Sequence, residues 1–82
     1  MTTKTSWERL YQALWDEQQK TKSKRLSFSS FYRCLLSTAG LAFSELFFSE
    51  GMTAWDLLIT MEEMGMILVN KNYIKVLPKR GG

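Results

Sequence analysis

The chain has 82 residues, 45% hydrophobic, 13% aromatic and 23% charged, with a formal net charge of +3. That length holds one small domain, residues 1–82, burying about 60% of its unfolded surface, and the aromatic content excludes a disordered chain. One cysteine, Cys34, and no histidine exclude an intrachain disulfide, a cysteine-based zinc site and the commonest general base. No catalytic residue, metal ligand or cofactor is therefore assigned, and an enzyme is not expected. Apolar runs fall well short of the roughly 20 residues that span a bilayer, and "MTTKTSWERL" lacks the apolar core of a signal peptide. No membrane contact and a cytoplasmic location are expected.

In chain order, Thr5 and Glu8 have the spacing of a capping box, and Trp7, Leu10, Tyr11, Leu14 and Trp15 form one helical stripe. A helix over residues 6–20 follows, with Glu8, Arg9, Gln12, Asp16 and Glu17 on its polar side. Its single apolar face either covers the core of the domain or pairs with its copy in a homodimer. Residues 20–26 form a basic linker in which Lys20, Lys22, Lys24 and Arg25 supply four of the eleven cations. Such a run is either a solvated connection or a set of phosphate contacts.

Ser27 or Ser29 then caps a second helix with Phe28, Phe31, Tyr32, Leu35, Leu36 and Ala39 as its stripe and Gly40 at the left-handed stop. "AFSELFFSEG", residues 42–51, reads as a short third helix ended by Gly51. Thr53 and Asp56 repeat the capping spacing and open a fourth helix over residues 53–64, stopped by Gly65. "MILV", the turn "NKN" and "YIKVL" read as a β-hairpin, Pro78 ends its second strand, and residues 78–82 form a flexible tail that includes Lys79 and Arg80.

Several spacings agree in "CLLSTAGLAFSELFFSEGMTAWDLLITMEEMGMILVNKNYIKVL", residues 34–77. Leu35 and Leu36 end one helix, Glu45 and Leu46 open a short one, and Gly51-Met52-Thr53 makes a tight turn. Leu58, Met61, Met64, Gly65 and Ile67 lead from the last helix into the hairpin. This order resembles the winged helix-turn-helix superfamily. The resemblance implies an α+β, mainly helical fold with its core at residues 27–77, an extra N-terminal helix and a C-terminal hairpin wing. It also implies DNA binding by a transcriptional or replication regulator, the fourth helix lying in the major groove and the hairpin on the backbone.

The residues of that fourth helix suit the major groove poorly. With Ala54, Leu58 and Met61 inward, and Leu57 and Met64 flanking them, helical geometry turns Trp55, Asp56, Ile59, Thr60, Glu62 and Glu63 outward, with no Lys or Arg. Base edges are read mostly by Arg, Lys, Asn and Gln, and phosphates repel carboxylates. DNA contacts are therefore assigned to Thr53 and Thr60, to Lys71 and Lys75 of the wing and to Lys22, Lys24 and Arg25 of the linker, and binding is expected to be driven by the backbone. The alternative is a protein-interaction module, a subunit or an inhibitor of phage or plasmid type, binding through Trp55, Ile59 and Glu63.

Overall fold

The computed structural model describes residues 3–78, which form four helices followed by an antiparallel hairpin, an α+β architecture. The first helix, α1 (Thr3–Gln19), begins three residues before the expected start, so Thr5 lies inside it and not at its cap. Neither glycine nor proline stands ahead of Thr5 to stop the helix. The apolar stripe of α1 is spent within the chain. Leu10 and Leu14 are fully buried, Tyr11 and Ala13 nearly so, and Trp7 and Trp15 are half-buried against the same core. A buried leucine contributes roughly 1.5–3 kcal/mol, so α1 is part of the core, as the covering alternative required.

Ser27 caps α2 (Phe28–Leu36), its Oγ accepting the Ser30 N–H at 3.0 Å. The buried face of α2 is Phe31, Cys34 and Leu35. Tyr32 and Leu36, expected inward, are exposed, because residues 31, 34 and 35 share a helical face and their neighbours at 32 and 36 are turned about 100° from it. The helix also ends before Gly40. The N–H groups of Ser37 and Ala39 both donate to the Cys34 carbonyl, at 3.2 and 2.9 Å, turning the chain so that Gly40 opens α3 (Gly40–Glu50) in place of closing α2.

Gly51 ends α3 in the left-handed conformation, φ +68°, as its position suggested, and its N–H donates to Phe47 O at 3.0 Å. Thr53 then caps α4 (Ala54–Glu63) with a complete capping box. The Thr53 N–H donates to Asp56 Oδ2 at 3.1 Å, and the Asp56 N–H donates to Thr53 Oγ1 at 3.2 Å. Leu57, Leu58 and Met61 of α4 join Ala42 and Leu46 of α3 in the core, whereas Met64, expected to flank it, is exposed.

After Gly65, φ +77°, strand β1 (Ile67–Val69) pairs antiparallel with β2 (Ile74–Val76), Ile67 opposite Val76 and Leu68 opposite Lys75. Ile67, Ile74 and Val76 are buried, while Leu68 and Lys75 are exposed on the outer side, as the alternation of a strand requires. The linker supplies a third row. Leu26 and Ile74 exchange two backbone hydrogen bonds of 2.7 Å each, so β2 has a neighbour on either side. No helix among the described residues is long and apolar enough to cross a membrane.

Candidate functional site

The Leu26–Ile74 bridge decides where the cations stand. It places Leu26 beside Ile74 of β2, and the sequence neighbours of a paired residue share the opposite side of the sheet. Arg25 lies on that outer side with its guanidinium carbon 4.5 Å from the centre of the Tyr73 ring, a cation–π contact that holds the charge in one place. Lys75 is exposed on β2, Lys71 at the hairpin turn and Lys22 in the linker. Linker and hairpin, separate in sequence, thus meet in a basic seam in which Arg25 lies across from Lys75.

Lys24 differs from its neighbours. Its backbone is left-handed, φ +56°, and its ammonium donates to the Gln19 carbonyl at 2.9 Å, where the end of α1 leaves carbonyls unsatisfied. Lys20 stands 3.8 Å from Glu17. The linker is therefore a folded turn, with the Thr21 hydroxyl donating to Gln18 O at 2.8 Å.

What fixes the seam to the body of the molecule is Gln18, which the sequence patterns did not single out. Its buried side-chain amide donates to Val76 O at 2.9 Å and accepts the Val76 N–H at 2.6 Å, behaving as one more strand residue beside β2. The Tyr11 hydroxyl donates to Leu77 O at 2.6 Å one step further along. Ser6 and Arg9 both donate to Glu45, tying α1 to α3, and these bonds, the Ser6 hydroxyl first, hold the Glu45 carboxyl below its ordinary range. Among the described residues no buried side-chain nitrogen or oxygen lacks a partner.

The outer side of α4 has the opposite character. Trp55 and Ile59, one turn apart, keep 57% and 40% of their surface exposed, and Asp56, Glu62 and Glu63 are exposed around them. From Cys34 to Asn70 the chain contains Glu45, Glu50, Asp56, Glu62 and Glu63 and no Lys or Arg. From Lys20 to Arg33 it contains Lys20, Lys22, Lys24, Arg25 and Arg33 and no acid. Thr53 has its hydroxyl engaged with Asp56, and Thr60 is half-buried. Neither threonine is brought to the seam by any contact of the fold. On α3 a separate chain of edge-to-face rings runs outward, Phe43 to Phe47 to Phe48, with Phe48 almost fully exposed.

Two other features were open to chemistry. A groove of about 460 Å³ runs between α1 and the end of α4, lined by Glu8, Tyr11, Glu63, Met64, Met66 and Leu77, so its charge is acidic and it offers phosphate no partner. Cys34 is buried, and burial first, then the Glu17 carboxylate, push its thiol upward, away from the reactive thiolate. No group of three metal-ligating side chains exists among the described residues.

No protein-family model, no curated protein and no solved structure matches the chain. What stands is the architecture itself, four helices and a two-stranded antiparallel hairpin, compatible with a winged-helix layout.

Proposed function

We propose that this chain is a small winged-helix protein that binds duplex DNA through its phosphate backbone and serves as a regulator of transcription or replication. The observation that supports this most is the double hydrogen bond between Leu26 and Ile74, which sets Arg25 across from Lys75 on the outer side of the sheet. Lys22, Arg25, Lys71 and Lys75 take the phosphates, releasing counterions, while the carboxylates of α4 keep that helix out of the groove. Sequence preference is consequently weak. The first test is fluorescence anisotropy with a mixed-sequence duplex at two salt concentrations. With about four phosphates neutralised, affinity falls about a hundredfold between roughly 50 and 200 mM salt. Lys71→Glu and Arg25→Glu weaken binding and flatten the salt dependence, and Trp55→Ala does not weaken binding. Absence of salt-sensitive binding at low salt rejects the reading.

A second reading is favoured by one specific observation, the exposure of Trp55 and Ile59 on a helix without cations. Exposed large apolar side chains ringed by charge are the anchors of protein interfaces. In that reading α4, with Trp55, Ile59 and Glu63, is a protein-binding face, and the chain is an interaction module.

A further inference from the structure

We propose that the outward face of α4 docks on the basic seam of a second copy of this chain. The proposal rests on the second reading above and names its partner. Whatever covers Trp55 and Ile59 also covers Asp56, Glu62 and Glu63, and burying those carboxylates without cations is costly. The partner must therefore bring cations set among apolar groups. The seam has that composition. Arg25 and Lys75 lie on the outer side of the sheet beside Tyr73, half-buried, and Leu68, which is 47% exposed opposite Lys75.

The same charges exclude the symmetric alternatives. Laying α4 against α4 brings three carboxylates to face three, and seam against seam brings cations to cations. Only unlike faces attract, so the contact joins residues of one kind on one copy to residues of another kind on the next. The seam then has two anionic occupants that exclude each other, DNA phosphates and the carboxylates of α4.

The test uses sedimentation velocity of the full chain at low and high salt, with two double variants checked for folding by circular dichroism. One carries Trp55→Ala and Ile59→Ala, the other Arg25→Glu and Lys75→Glu. The wild type self-associates at low salt and dissociates at high salt. Each double variant self-associates about tenfold or more weakly, the effect of losing interface anchors. Mixed together, the two form a 1:1 complex, because the first variant keeps an intact seam and the second an intact α4. A wild type that stays monomeric at low salt overturns the choice of partner and leaves α4 standing as an interface for another protein. Association undiminished by Trp55→Ala and Ile59→Ala overturns the interface reading and the proposal together. A mixture that stays monomeric while the wild type associates overturns the unlike-face contact.

Discussion

The side where α1 meets β2 and the side where α3 and α4 face outward use similar residue types to opposite effect. On the first, a tyrosine, a glutamine and two leucines are buried, and both Gln18 and Tyr11 find backbone partners on or next to β2. On the second, a tryptophan, two phenylalanines and an isoleucine remain in water with carboxylates about them. The first side is closed by hydrogen bonds that have no substitute, so its residues set stability. The second leaves its apolar area unclaimed within the chain, so its residues contribute little to stability. The contrast teaches that α4 should be read by what surrounds its outward Trp55 and Ile59 and not by its place in the order of elements.

Breaking the first side gives the largest expected effect. Gln18→Leu removes both bonds to Val76 and leaves a buried N–H and a buried carbonyl unpaired, which costs about 3 kcal/mol, read as a lowered midpoint in urea. The same measurement on Trp55→Ala should show a change within about 0.5 kcal/mol, as for an exposed side chain. If the two variants unfold at the same urea concentration, the division into a stabilising side and one that adds little stability is wrong.

Glycines sharpen the comparison at the joints of α3. Gly51 is left-handed and a Cβ there would touch nothing within 4 Å, so Gly51→Ala costs only the backbone penalty, about 1–2 kcal/mol. Gly40 has lost the role its position suggested and sits in the first turn of a helix, where a Cβ would meet Leu35 O at an ordinary 3.8 Å. Gly40→Ala should raise stability by about 0.5 kcal/mol. Opposite signs in paired denaturation curves check the assignment; a loss at Gly40 matching that at Gly51 contradicts it.

The smallest expected effect is on pH. A thiol whose folded value is raised contributes stability that is complete below the unfolded value, about 8.5, and is lost as pH rises above it. The wild-type thermal midpoint should therefore fall between about pH 8 and 10 by more than that of Cys34→Ala. Burial raises Tyr11 as well, adding a further loss at still higher pH in both proteins. Equal alkaline slopes would place the sensitivity elsewhere.

Particular residues show what was legible. Thr53 with Asp56, Ser27 and Gly51 act within a few positions of themselves, so their caps and turns could be read directly. Trp55 and Ile59 were read outward correctly because a helix of ten residues with buried Leu57, Leu58 and Met61 leaves them no inward direction. Gly40 does not end α2, because a glycine after an apolar stripe ends a helix only if the chain has not already turned, and the Cys34 carbonyl takes two N–H groups before it. Gln18 and the Leu26–Ile74 pair were invisible, since their partners lie 58 and 48 positions away and carry no local pattern.

By itself the amino-acid sequence determined the helices, the hairpin and the acidity of α4, all of which depend on spacing, capping and composition over short stretches. The tertiary structure alone decided that Leu26 pairs with Ile74 of β2, that Arg25 lies over Tyr73 and that Gln18 completes the sheet. The physical reason is that such bonds form between backbone groups, which every residue carries. They are selected only when the packed core brings two distant segments to one edge.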